Sequence, residues 1–214
     1  QVTRLGNETS QPLLRLCGVP QGSCLGPILF NLYTSDFPGC VQRCSAHLYA
    51  DDCQLHLAYE PEKALTAIDE INSDLRNVSK WSVSNGLKLN ASKCTVLHVG
   101  PHVLTQTLDD SGAAVELDGG RLTVCDRVKT LGVVLDRGLT FSDHVSHASK
   151  RALGRLRGLY RFKTLLPESA KLQLVRSLVM SVFYYCFPAY GNSISGGDMS
   201  RIQKLQNSAV RFVF

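Results

Sequence analysis

The stretch His47-Leu48-Tyr49-Ala50-Asp51-Asp52-Cys53-Gln54-Leu55-His56-Leu57 places two adjacent carboxylates between two short runs that read as strands, residues 45–50 and 53–59. Like charges this close repel, and each needs a cation or water to offset the repulsion. A divalent metal is the usual physical reason to keep such a pair, and metal-assisted phosphoryl or nucleotidyl transfer is its usual use. Asp is also a common turn residue, so residues 49–52 taken alone read first as a polar hairpin tip. Their surroundings have to decide.

Upstream, Gly18-Val19-Pro20-Gln21-Gly22-Ser23 reads as a tight loop, because Pro and Gly exclude regular structure there. A short, mostly apolar helix follows over 25–36, with Pro27 in its first turn, and Pro38-Gly39 ends it. Further back, residues 2–5 and 13–17 read as strands around a Gly-Asn-Glu-Thr-Ser turn. Downstream, Leu65, Ile68, Ile71, Leu75, Val78 and Trp81 are spaced three and four apart, one face of an amphipathic helix over 61–85 that Gly86 stops. Residues 87–89 and 95–99 read as strands about a turn, 101–112 as a loop, and 114–117 with 122–125 as a pair across Asp118-Gly119-Gly120. Residues 128–135 form a strongly apolar strand. From Phe141 the character changes: 142–160, 168–185 and 199–214 are helical. Ser142 with Asp143 would cap the first, and Ser195 or Asp198 the third. The fold class is α+β, with a boundary near residues 136–140.

Composition sets outer limits. The chain of 214 residues, 44% hydrophobic and 19% charged, can bury a real core. No run of about 18 apolar residues exists to span a membrane. Residues 1–10 hold no apolar signal core, so a cytoplasmic or nuclear protein is expected. Eight scattered cysteines without a C-x-x-C pair argue for reduced thiols and against a zinc site. A chain opening on Gln1 reads as a stretch of a longer one. The net charge of +5 is uneven: residues 148–214 hold eleven Lys and Arg against Glu168 and Asp198, whereas residues 1–147 carry −4. A basic tail points to a polyanion partner, and an Arg-rich solvated helical surface explains it as well.

Four stretches now stand in order: GVPQGSCLGPILFNLYTSDFP from Gly18, HLYADDCQLHL from His47, WSVSNGLKLNASKC from Trp81 and VKTLGVVLDRGLTFSDHV from Val128. In this order and spacing the chain resembles the reverse transcriptases, RNA-directed DNA polymerases, of non-LTR (LINE-type) retrotransposons. The tail through YGNSISGGDMSRIQKLQNSAVRFVF resembles the segment that follows in those elements. The resemblance implies a partial right-hand polymerase palm over 1–137, an antiparallel sheet packed with helices, and a helical thumb-like region over 138–214. It makes Asp51 and Asp52 the catalytic carboxylates and ligands of Mg²⁺ or Mn²⁺ in two-metal nucleotidyl transfer. Tyr49, Ala50, Gln21, Gly22 and Lys93 would contact the nucleotide or template, and Leu131, Gly132 and Val133 would grip the primer end. Lys150, Arg151 and Arg155 would follow the nucleic-acid backbone. RNA template, DNA primer or RNA–DNA duplex, and dNTP are the implied partners.

One part of that pattern is missing. The family takes another metal carboxylate from a Phe-x-x-x-Asp strand that precedes the GVPQG loop, with the fingers before it. Glu8 is the only acid in the first seventeen residues. Metal binding by these residues alone is therefore expected to be weak and catalysis absent, unless the N-terminal part of a polymerase complements them. The alternative is a non-catalytic nucleic-acid-binding module or relic derived from such an enzyme. Cys53 is a smaller departure, since Thr is common there.

Overall fold

A computed structural model describes residues 2–14, 17–20 and 22–214. In chain order the elements are β1 (Arg4–Leu5), β2 (Glu8–Thr9), α1 (Gly26–Tyr33), β3 (Ser45–Tyr49), β4 (Asp52–His56), α2 (Ala64–Ser84), β5 (Thr95–Val96) and α3 (His102–Asp110). They continue with β6 (Glu116–Leu117), β7 (Gly120–Arg121), β8 (Thr123–Val124), β9 (Arg127–Thr130), β10 (Val133–Asp136) and α4 (Ser142–Tyr160). The chain ends in α5 (Glu168–Leu174), α6 (Ser181–Tyr184), α7 (Phe187–Tyr190) and α8 (Gly196–Val213). This is the expected mixture of helix and sheet. Among the described residues the strands form separate two-stranded pairs rather than one continuous sheet. No helix among them is long and apolar enough to cross a membrane. The chain divides into two compact units, residues 1–91 with 115–120, and residues 92–114 with 121–214.

The first unit is organised by α2. Ala67, Ile68 and Val78 are buried along it, and Phe37 meets Trp81 edge-on at 5.0 Å. Leu65, expected on the buried face, is 57% exposed. The buried stripe instead takes in a charged residue, Asp74. Asn72 accepts the Glu116 amide at 2.8 Å, and Ser79 bonds Asp118, which fastens the 115–120 segment to α2. The hairpin there is tighter than expected: Asp118 and Gly119, both with positive φ, make its turn. The N-terminal hairpin is tighter too. β1 pairs β2 across Gly6-Asn7, so Glu8 sits in a strand and not in the turn. Residues 13, 14 and 17 are not strand, and residues 15 and 16 of that expected strand lie outside the described residues.

Three further expectations change. Residues 101–112 contain a helix, α3, with Thr105 and Leu108 buried. The hydroxyl of Thr105 donates to the His102 carbonyl, which meets the demand that makes Thr a poor helix former. Residues 87–89, read as a strand, have none, and β5 pairs β8 in parallel. The apolar run 128–135 is two strands, β9 and β10, turned back at Leu131-Gly132.

Helix α4, at the expected bounds of 142–160, is the spine of the second unit. Val145, Ala148, Ala152 and Leu156 form its buried stripe, packed in one core with Val175, Val179, Phe183, Ile202, Leu205, Ala209 and Phe212. Ser195 caps α8: it accepts the Asp198 amide at 3.1 Å and donates to the Asp198 carboxylate at 2.8 Å. Ser142, expected to cap α4, instead donates to that same carboxylate at 2.7 Å. The predicted helix 168–185 is broken by a π-helical segment, Val175–Met180. A π segment loosens the regular carbonyl ladder. Ser177 and Ser181 donate back to Gln173 and Ser177 carbonyls, and Arg155 donates to Leu178 at 2.8 Å.

Candidate active site

The β3–β4 register runs from Ser45 opposite His56 to Tyr49 opposite Asp52, so Ala50 and Asp51 alone make the turn. Ala50 has φ 53°. A non-glycine residue there costs about 1–2 kcal/mol, in a two-residue turn whose first position favours Gly. Asp51 thus stands at the tip. Asp52 begins the strand, on the face that also holds Tyr49, His47 and His56. The two imidazoles stack at 4.9 Å, 2° from parallel. Both carboxylates are exposed. Among the described residues no group of three or more Asp, Glu, His or Cys side chains converges to hold a metal.

Mg²⁺ is held by one or two carboxylates, with waters and substrate phosphates completing its octahedron. Two hard-oxygen side chains at a hairpin tip fit that demand as the protein's share of a shared site. They do not make a closed cage.

The approach to this hairpin is set by a residue that sequence reasoning missed. Asp74, 1% exposed, accepts the amides of Gln42, Arg43 and Cys44 at 3.0, 2.8 and 2.7 Å, immediately before β3. Burial pushes its carboxyl up, but these amides and the Cys44 thiol outweigh burial and hold it below the usual range. The same contact, after burial itself, pushes the Cys44 thiol up to about 12. A signal for Asp74 did exist: it lies three after Ile71 and four before Val78, a charge on an apolar stripe.

The Gly18–Ser23 loop is a lead into α1. Pro20 accepts the Ser23 amide at 3.2 Å, and the Ser23 hydroxyl accepts the Gly26 amide at 3.0 Å. Gly22 is exposed with φ 80°, a backbone that L side chains rarely adopt. Gln21 lies outside the described residues.

The other predicted residues belong to the second unit. Lys93 is exposed at the end of a 3-10 turn, Ala91–Lys93. Leu131 and Gly132 form the β9–β10 turn, and Val133 leads into β10 with its side chain in the core. Asp136, which closes the LGVVLD stretch, organises the loop to α4. Its carboxylate accepts Gly138, Thr140 and Phe141 amides at 3.1, 3.0 and 2.8 Å and the Thr140 hydroxyl at 3.1 Å. Burial alone would raise its pKa, and these bonds lower it. Lys150, Arg151 and Arg155 are exposed on α4. Arg155 spends one donor on Leu178. Lys163 donates to the Arg211 carbonyl at 2.6 Å, a cation at the C-terminus of α8.

The described residues thus hold a paired-carboxylate hairpin in the first unit and exposed cations on α4 in the second. The family of reverse transcriptases (RNA-dependent DNA polymerases) matches residues 2–135. The chain belongs to that family, and within it to the non-LTR, LINE-type retrotransposon enzymes. It is 30% identical over 99% of its length to the probable RNA-directed DNA polymerase from transposon BS of Drosophila melanogaster. It is also 27% identical, over 91% of its length, to the RNA-directed DNA polymerase from mobile element jockey of Drosophila funebris. It spans 24% and 21% of those two proteins. No solved structure matches.

Proposed function

We propose that these residues are the catalytic-turn, primer-grip and thumb portion of an RNA-directed DNA polymerase: residues 1–137 part of the palm, residues 138–214 a thumb-like clamp. The observation that carries this reading is the two-residue turn that sets Asp51 at its tip and Asp52 opposite Tyr49, both carboxylates open to solvent. Two bound Mg²⁺ or Mn²⁺ ions would supply charge neutralisation on the triphosphate and a lowered pKa at the primer 3′-hydroxyl. Asp51 and Asp52 orient the reacting groups, and Asp74 fixes the strand that carries them. Tyr49, Ala50, Gln21, Gly22 and Lys93 contact nucleotide and template. Leu131, Gly132 and Val133 hold the primer end, and the α4 cations track the phosphates of an RNA–DNA duplex. Such a polymerase works in the cytoplasm or nucleus, where its RNA template is.

By themselves these 214 residues offer two carboxylates where a two-metal site needs a third, so in isolation they bind metal weakly and extend nothing. The test is a chimera in which they replace the matched stretch of the transposon BS polymerase. It should extend a DNA primer on RNA only with Mg²⁺ or Mn²⁺, and Asp51→Ala should reduce the rate by at least about 10²-fold. Duplex binding without extension by that chimera would favour the alternative, a non-catalytic nucleic-acid-binding module derived from such an enzyme. Extension by the isolated chain would refute its proposed incompleteness.

A further inference from the structure

The β9–β10 turn is built from an unfavourable residue. Both Leu131 and Gly132 lie in the left-handed region, at φ 46° and 85°. A two-residue hairpin of this kind wants Asn-Gly or Gly-Gly, and a branched side chain at the first position is strained there. The carbonyl of Leu131, in the central peptide of the turn, is also one that the strand ladder leaves without a partner. The hydroxyl of Tyr185 supplies it, donating at 2.5 Å across 54 residues of sequence. The Tyr185 ring lies against the second turn residue as well. A Cβ placed on Gly132 would come within 3.0 Å of its Cε1 and 3.5 Å of its Cζ.

The segment that delivers Tyr185 is equally unusual. Helix α6 stops at Tyr184, Tyr185 itself is extended, and α7 restarts at Phe187. The residue between them, Cys186, has φ 53°, a left-handed conformation on a side chain that does not favour it. Non-glycine residues on either side of one hydrogen bond are thus held in sparsely populated backbone conformations. Such strain persists only where the surroundings over-determine it, and it concentrates at functional sites. Pro188 accounts for the break itself, since a proline cannot sit inside a continuing helix and belongs in the first turn of a new one. The break puts a phenol on the hairpin tip.

We propose that Tyr185 is a positioning residue for the primer end. Its hydroxyl and ring fix the tip at Leu131-Gly132, so the helical segment from α5 to α7 sets where the primer grip lies. The inference rests on the primer-grip reading of residues 131–133. It makes Tyr185, rather than a residue of the hairpin itself, the group that ties the thumb to the reacting strand.

The test uses the chimeric polymerase with Tyr185→Phe, which keeps the ring over Gly132 and removes only the donor. The expected result is a fall of about tenfold to 10²-fold in the extension rate at saturating duplex and dNTP, the upper figure being the scale of a reacting group misplaced by about 1 Å. Duplex Kd and melting temperature should match those of the unsubstituted chimera. Backbone amides around residues 131–133 should exchange faster with deuterium, and those of α4 should not. Gly132→Ala should slow extension likewise, and should do so less in a Tyr185→Ala background, where the ring that the methyl strikes is gone. An unchanged extension rate in Tyr185→Phe overturns the inference. So does a parallel loss of rate, duplex affinity and melting temperature, which would mark Tyr185 as general support of the fold. An unsubstituted chimera that extends nothing overturns the polymerase reading and this inference with it.

Discussion

Three buried or half-buried aspartates, none of them in the Tyr-Ala-Asp-Asp turn, hold the loops of this chain. Asp74 gathers three amides before β3, Asp136 gathers the loop into α4, and Asp198 takes the Ser142 and Ser195 hydroxyls. Each is held below the ordinary carboxylate range: Asp198 chiefly by the Ser142 bond, Asp74 and Asp136 by amide bonds that outweigh burial. A lowered folded-state pKa gives stability that is present above the unfolded value, about pH 4, and lost as pH falls through the folded value. Melting temperature should therefore fall below about pH 4 on account of these aspartates, with an earlier decline below about pH 6.5 from buried His144, whose pKa burial lowers. Asp74→Asn should reduce stability at neutral pH by about 2–3 kcal/mol, the range for bonds to a charged acceptor, and should flatten part of the acid limb. Urea titrations at pH 7 and pH 3 would check both, and equal losses at the two pH values would contradict the account. Cys44 gives a chemical readout of the same contact. With its thiol pushed up to about 12, it should resist alkylation while exposed Cys24 reacts, and Asp74→Asn should raise its reactivity. The paired aspartates were legible because the flanking motifs announce them. Asp74 was legible only as an anomaly, a charge on a stripe, and the sequence does not reveal which amides it serves.

At the scale of elements, legibility followed period and length. Helix α4 matches its expected bounds, 142–160, and Val145, Ala148, Ala152 and Leu156 repeat at helical spacing within it. Leu156, 1% exposed, should cost about 2–5 kcal/mol as Leu156→Ala, and a calorimetric melt would measure it. Short strands were another matter. The run 128–135 is mostly apolar and too short for its period to separate one long strand from two that turn at Leu131-Gly132; only the turn residues could, and Leu is a poor signal for a left-handed position. The π segment was equally hidden, and the contact made on it is tertiary: Arg155 reaches from α4 to the Leu178 carbonyl. That contact separates the cations on α4. Arg155→Ala should lower stability, whereas Lys150→Ala and Arg151→Ala should leave the melt unchanged. In the chimera those two should each reduce the salt slope of duplex binding by about one. Equal effects on melting by all three would remove the distinction.

For the whole molecule, the motif order reached the family but not the way burial is shared between the two units. The second unit owns a contiguous core that runs from Val133 through α4 and the π segment to Val213, with Ala152, Val179, Tyr190 and Phe212 fully buried. The first unit, which carries the Tyr-Ala-Asp-Asp turn, has as buried apolar side chains only Phe37, Ala67, Ile68, Val78, Val115 and Leu117 among its described residues. Its helix α1 leaves Ile28 and Leu32 at 63% and 70% exposed. Hydrophobic burial at about 25 cal/mol per Å² is the main favourable term in folding, so a unit that buries so little is weakly stable alone. The isolated chain should therefore lose the first unit first. Urea unfolding should show two steps, with fluorescence of the single Trp81, on α2, changing in the earlier one. Hydrogen exchange should report the same order, fast for amides of β3 and β4 and slow for α4 and α8. In the chimera, where polymerase chain surrounds these residues, the two steps should draw together as α1 gains apolar neighbours. A single coincident transition for Trp81 fluorescence and helical circular dichroism in the isolated chain would show that the units melt as one, and that the Tyr-Ala-Asp-Asp turn needs no further chain to hold it.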